Sequence, residues 1–349
     1  MSSAPALPAP APSARGADAA SRVVAWHEGV LVAAIALSAA YFTWRGWPFS
    51  PLLGTSVIRL FLADFQLVAV GYVGWRLWRD GRGFLRAAGS WAGLQGLLRF
   101  FRVVAPVYAA QVLYANWLAV VPLVNPRLYD APLLASEAWL FGGSMTRWMS
   151  LPDHPAVTLL VDLCYLSFFH WIVLAIVLLH VLDGARAARR LVLALTLSTL
   201  VSTTILVAFP TLGPAFLDPA SVAPIVPAML QSGHFHDVSR AFRAAVLANP
   251  GGFTLVPFLG VSAFPSMHVG HTFLALAFLW PRHRSAFQLF LLPVLGAWIG
   301  TVYLGWHYAL DGVAGIAIAA GARRVAGRWL PEAALQTHGS TTISNRPKS

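Results

Sequence analysis

Residues 286–326 read AFQLFLLPVLGAWIGTVYLGWHYALDGVAGIAIAAGARRVA. The stretch holds two apolar runs, about 286 to 304 and 307 to 326, each long enough to cross ~30 Å of hydrocarbon as a helix. They nearly abut at Gly305, so the chain leaves the bilayer and returns within a few residues, with a Trp-His-Tyr segment at the turn. Working outward, runs of similar length lie at roughly 23 to 44, 57 to 78, 103 to 124, 157 to 182 and 189 to 209, and a shorter one at 266 to 281. The fold predicted is all-α, a polytopic membrane helical bundle of about eight transmembrane helices. Between them, 81 to 102 spaces Phe84, Leu85, Trp91, Leu94, Leu97 and Leu98 among arginines, as an amphipathic helix lying along the interface does.

Composition agrees with the bilayer as solvent: 58% of the 349 residues are hydrophobic and only 11% charged. The net charge of +11 does not imply nucleic acid, because the basic residues fall in short clusters between apolar runs and form no stripe or tail. Lys348 is the only lysine, which rules out any mechanism that needs a lysine in the core. Cys164 is the only cysteine, so no intrachain disulfide forms. Residues 1–22, rich in Ala, Pro and Ser, and 329–349 read as disordered tails. Small residues around Ser38 to Ala40 resemble a signal-peptide cleavage site, but an uncleaved first span fits the charge pattern better.

That pattern sets the orientation. With the amino terminus in the cytoplasm, the cytoplasmic segments hold 18 of the 24 Lys and Arg residues and the opposite side five, while Arg59 lies within the second span. Both termini are then cytoplasmic. The segments 125–156 and 210–265 and the turn near Gly305 share the outer face.

Two short segments of chemical interest meet on that face, each opening a helix. In Phe264-Pro265-Ser266-Met267-His268, Pro and Ser suit the first positions of a helix. The helix start offers free amides and the positive end of the macrodipole, a seat for phosphate to which Pro265, Ser266 and Met267 would contribute. Ser266 would donate to the anion, with His268 in reach; a capped helix with an interfacial histidine is the plainer alternative. In Tyr303-Leu304-Gly305-Trp306-His307-Tyr308-Ala309-Leu310-Asp311, His307 and Asp311 are four apart and share a helical face. A carboxylate that accepts the Nδ1 proton leaves Nε2 free to attack phosphorus and stabilises the charge that grows on the ring. Ionisable residues in spans are costly and usually functional, although such a pair can also merely neutralise itself.

Together the two segments resemble the type 2 phosphatidic acid phosphatase superfamily, whose signature joins Pro-Ser-x-His to a later His-x-x-x-Asp. Pro265, Ser266, His268, His307 and Asp311 carry the match. The resemblance implies that His307 is the nucleophile and becomes phosphorylated, that Asp311 orients it, and that His268 is the general acid. It also implies chemistry without a metal or other cofactor. The phosphatase branches, however, carry Lys-x6-Arg-Pro and a Ser-Arg pair, and neither is present here; Gly300 and Thr301 stand in the Ser-Arg places. The segment Phe209-Pro210-Thr211-Leu212-Gly213-Pro214 is instead similar to the inositol phosphorylceramide synthase-like branch, although Gly213 stands where a second proline is usual. Tyr303 and Tyr308 around His307, and Asp130 and Glu137 before Leu140-Phe141-Gly142, resemble the same branch. The similarity covers about residues 125–325.

The expected organisation is therefore two spans and an interfacial helix in 23–102, followed by a six-helix catalytic domain in 103–328. The expected activity is transfer of a phosphoryl-linked head group, such as inositol phosphate, from a membrane lipid to a lipid acceptor. A lipid or prenyl phosphate phosphatase, with water as acceptor, is the alternative, and a transporter or scaffold the third. A transporter draws thin support from Arg59, Asp64 and Asp162 within spans. With the usual basic residues missing, Arg240 and Arg243, backed by Arg147 and Arg127, are candidates to balance phosphate charge. His234-Phe235-His236-Asp237 has the composition of a metal site but no further ligand nearby. His271, His170 and His180 read as packing or boundary residues, and the Gly312 and Gly315 face as a close helix contact.

Overall fold

In a computed structural model, the structure describes residues 14–52, 94–151, 154–256 and 258–331. Among these residues every regular element is helical: α1 (Ala14–Trp44), α2 (Leu94–Val124), α3 (Asp130–Phe141), α4 (Met145–Ser150), α5 (Pro155–Leu166), α6 (Phe168–Leu182), α7 (Ala185–Ala208), α8 (Pro214–Leu217), α9 (Ser232–Ala248), α10 (Met267–Leu279), α11 (Arg284–Tyr303) and α12 (Ala309–Trp329), with two short 3-10 turns before α9. The run at 57–78, with Arg59 and Asp64, lies outside the described residues, as do 1–13, most of the interfacial stretch and the tail after Pro331. Residues 94–102 are not a separate element; they open α2. Likewise α1 begins at Ala14, inside the stretch read as a tail.

The other seven apolar runs coincide with helices, but fewer reach membrane-crossing length. Phe100–Val124, Ala185–Ala208 and Arg284–Tyr303 are long and apolar enough, and α5 with α6 makes up to four. Met267–Leu279 and Glu28–Trp44 are apolar but shorter. The run at 157–182 is two helices, bent by 44° at Ser167. No proline causes the break. The Ser167 hydroxyl donates to the Cys164 carbonyl (2.7 Å) and accepts from the Trp171 indole (2.9 Å), drawing the side chain into the helical ladder.

The core lies where α6, α7, α10, α11 and α12 meet, around Leu191, Leu195, Leu274, Leu279 and Phe290. Lipid is as apolar as leucine, so such helices associate by close fit more than by hydrophobic driving force. The fit is tightest between α10 and α12. A Cβ on Gly315 would stand 2.2 Å from the Ser266 carbonyl oxygen, and one on Gly270 would stand 2.7 Å from that of Gly315. Gly315 thus fulfils the expected contact, whereas a Cβ on Gly312 would meet only Val269 at an ordinary 3.5 Å. On the other flank, α2 lies along α7 and receives α1, where Tyr41 stacks on Trp117.

Over one end of this bundle α9 packs on α2, burying Ser232, His236, Ser239, Phe242 and Val246 at helical spacing. Its start is fixed from another helix. Asp162 of α5 accepts the amides of Leu230 (2.7 Å), Gln231 (3.1 Å) and Ser232 (3.3 Å) and the Ser232 hydroxyl. A buried carboxylate read as a possible transport charge is therefore a partner for the positive end of a helix.

Candidate active site

His307 does not lie on a helix. It ends the turn after α11, two residues before α12 begins, and Asp311 sits in the first turn of α12. The expected shared face is replaced by a capping arrangement in which the Asp311 carboxylate accepts the Tyr308 amide at 2.8 Å. The pair still meets: Oδ2 of Asp311 is 3.4 Å from Nδ1 of His307. The closer partner of Nδ1 is the Ala263 carbonyl oxygen, at 2.6 Å. An acceptor at that distance keeps the proton on Nδ1 and the lone pair on Nε2. Asp311, wholly buried, supplies negative charge beside the ring, and its Oδ1 has no hydrogen-bond partner among the described residues.

Nε2 of His307 faces Nδ1 of His268 at 3.2 Å. His268 opens α10, with its ring against Tyr165 (centroids 4.8 Å apart) and Phe168 (4.1 Å), the two aromatics that flank the α5–α6 break. The bend expected as one straight span therefore helps set the second imidazole. Both histidines line a cavity of about 530 Å³, walled by Tyr114, Leu118, Phe169, Phe258 and Met267 among others. At 3.2 Å the rings bond to each other, so a phosphoryl group held between them requires them to part.

Three carboxylate- and hydroxyl-centred clamps hold this arrangement. Asp130 accepts the amides of Leu212 (2.9 Å) and Gly213 (2.9 Å) and the hydroxyl of Tyr308 (2.9 Å). Thr211, in the same loop, accepts the amides of Ala263 (3.2 Å) and Phe264 (2.7 Å) and so places the carbonyl that meets His307. Glu137 joins two helix starts, accepting the amides of Met145 (3.1 Å) and Ala309 (2.8 Å). Burial raises the Glu137 pKa, and those two amides offset part of the rise. Hydrogen bonds to charged groups contribute about 1.5–3 kcal/mol each. At Gly213, φ is +93°, and its amide donates to Asp130. Proline, locked near −65° and without an N–H, cannot take this place, which explains the departure from the branch pattern.

Several residues expected to bind phosphate do other work. Ser266, fully buried, caps α10 by accepting the Val269 amide, and its carbonyl accepts that of Gly270. The amides of Met267 and His268, at the first turn, remain for an anion. Pro265 and Met267 do line the cavity. The Tyr303 hydroxyl pairs with Thr158 (2.6 Å) and that of Tyr308 with Asp130, so both are structural ties away from the cavity wall. Arg240 donates to Asp237 and to the Ala215 carbonyl, both at 2.7 Å, and lies over Phe216. Arg243 is half-buried one turn beyond Ser239, which lines the cavity; burial lowers its pKa and the charge of Asp130 opposes that. Arg127 lies over Tyr129. Among the described residues no three His, Cys, Asp or Glu side chains cluster as metal ligands. His236 packs instead on Trp306 (4.3 Å) and Phe216 (5.4 Å), and burial, with Arg240 nearby, lowers its pKa to about 4.

Sequence reasoning missed Ala263, Thr211 and the role of Asp162. A carbonyl carries no side-chain signal, but Thr211 sits in the Pro-rich segment already singled out. Comparison with known proteins matches residues 131–325 to the PAP2 superfamily. A stretch of 95 residues is 37% identical to a lipid A 1-phosphatase of Rhizobium johnstonii, covering 25% of this chain and 32% of that protein. The chain thus spans about a third of the length of the curated relative it matches. No solved structure matches.

Proposed function

Since the chain belongs to the PAP2 superfamily, we propose that it is an integral membrane phosphatase of lipid phosphates working through a phosphohistidine. The observation that carries the reading is the facing pair, His307 Nε2 and His268 Nδ1, at the wall of a largely apolar cavity. His307 Nε2 attacks phosphorus while the P–O bond to the lipid breaks and His268 gives its proton to the leaving oxygen. Water then attacks the phosphohistidine, His268 takes its proton, and the P–N bond breaks to release phosphate. Ala263 and Asp311 hold the nucleophilic tautomer, and the amides of Met267 and His268, with Arg243 behind Ser239, face the phosphoryl charge. The catalytic unit would be 103–328.

Transfer to a second lipid, the inositol phosphorylceramide synthase-like reading, differs only in the acceptor. Its supporting residues, Tyr303, Tyr308, Asp130 and Glu137, make ties within the fold and say little about an acceptor. The relative named for phosphatase activity tips the balance toward water. Purified protein in detergent, given a panel of labelled lipid phosphates, should release free phosphate with or without chelator, and His307→Ala should fall to background. Label appearing in a new lipid would replace hydrolysis by transfer, activity lost to chelator and restored by zinc would overturn the metal-free mechanism, and full activity in His307→Ala would remove the enzyme reading.

A further inference from the structure

One turn along α10 from His268, the cavity wall carries two further polar side chains. His271 and Gln111 both line the cavity, and both are nearly buried, at 3% and 6% exposure. They meet at Thr199 of α7, fully buried between them. The Gln111 amide nitrogen donates to the Thr199 hydroxyl oxygen at 3.3 Å, and that oxygen is 3.3 Å from Nε2 of His271. The Thr199 hydroxyl has one proton to give, which the amide N–H cannot accept; we assign it to His271 Nε2. His271 is then neutral with its proton on Nδ1. Neither that N–H nor the Gln111 carbonyl oxygen has a hydrogen-bond partner among the described residues.

Neither stands among the atoms sealed in the bundle without a partner, so both are open to the cavity that the two residues line. They are accounted for if the ligand supplies the partners. The depth is set by the helix: three residues rise about 4.5 Å, which lies a few bonds beyond a phosphate held at His268. We propose that His271 and Gln111 form a polar floor that recognises carbonyl or hydroxyl groups borne close to the phosphate. The substrate class is thereby acyl-bearing lipid phosphates, with ester or amide carbonyls near the phosphate, in preference to isoprenyl phosphates, whose chains offer hydrocarbon alone. The proposal deepens the phosphatase reading and rests on it for the position of the phosphate. Thr199 positions the donor and does not touch substrate.

Binding and turnover separate the two claims. Full-length protein would be titrated with non-hydrolysable phosphonates of a diacylglycerol, an acylated amino sugar and a polyprenol, and assayed for phosphate release from the matching phosphates. A site built for hydrogen bonds rejects ligands that lack them: an ester or amide carbonyl can accept from His271, whereas the Gln111 carbonyl oxygen needs an N–H or O–H, so at about 1 kcal/mol per bond the diacylglycerol ligand should be preferred over the polyprenol roughly fivefold and the acylated amino sugar roughly tenfold or more. His271→Leu should cut both ratios severalfold and Gln111→Leu that of the acylated amino sugar, while His271→Asn, which keeps an amide donor near the Nδ1 position, should restore part of the loss. The two acyl-bearing ligands tell whether ester or sugar amide carbonyls are read. Wild-type protein that binds the polyprenyl phosphonate as well as the others, or leucine variants that keep the full ratio for the acylated amino sugar, would overturn the proposal. Selective binding without turnover would leave the floor standing and remove the phosphatase.

Discussion

At the scale of single residues, identity and role part company in the His307 turn. Tyr303 and Tyr308 flank His307 in sequence, yet their hydroxyls are taken by Thr158 and Asp130. Tyr303→Phe should therefore lower stability by about 1 kcal/mol, the worth of one buried hydrogen bond, with kcat/KM for any lipid phosphate unchanged within about twofold. Thermal unfolding beside steady-state kinetics checks this; a loss of rate without loss of stability would return Tyr303 to the substrate. His236 makes a separate prediction about acid. Its folded pKa of about 4 lies below the ordinary value near 6.5. The unfolded chain thus takes up the proton first as pH falls. The contribution is intact above about pH 6.5 and is lost progressively down to about pH 4, amounting to at most ~3 kcal/mol. His236→Phe, which keeps a ring against Trp306, should flatten that part of the stability profile in denaturation experiments between pH 7 and 4. An unchanged slope would mean that His236 is not buried neutral.

At the scale of elements, the site depends on how closely α10 and α12 cross. The Ser266 amide donates to the Asp311 carbonyl (3.0 Å), and this bond sits beside the contact where Gly315 touches Ser266. Because the obstructing atom is backbone, Gly315→Ala must push the helices apart, at a cost of about 1–3 kcal/mol or more for overpacking. The histidines sit on opposite sides of this crossing, so catalysis should fall with stability, by about tenfold or more. Gly312→Ala meets only a valine side chain and should be tolerated. Melting temperature and rate, measured for both variants, test the asymmetry; equal effects would show that the crossing is not what sets the site. The small-residue face was legible in the sequence as Gly312 and Gly315, but which glycine bears the contact depends on rotation about the axis of α12. The α5–α6 break was not legible, because Ser167 in an apolar run carries no breaker signal and its hydroxyl had other local options.

At the scale of the whole molecule, the proposal that α9 and the His268 and His307 segments face the outer side rests on charge asymmetry alone. In a Cys164→Ala background, a cysteine at Gly252, beyond the end of α9, should react with an impermeant thiol reagent on intact cells. Labelling only after lysis would place the site in the cytoplasm. The sequence by itself determined that the chain is helical and apolar, that its arginines are unevenly distributed, and that His268, His307 and Asp311 are candidates for one site, because periodicity, charge and short motifs are local properties. Only the tertiary structure decided that Ala263 outranks Asp311 as the partner of Nδ1, that Asp130, Glu137 and Asp162 hold backbone amides, and that Gln111, Thr199 and His271 meet beneath the histidines. Each of those contacts joins segments 44 to 172 residues apart or involves a backbone atom. Nothing in a linear string records which amide or carbonyl will be left without its helical partner when the elements pack.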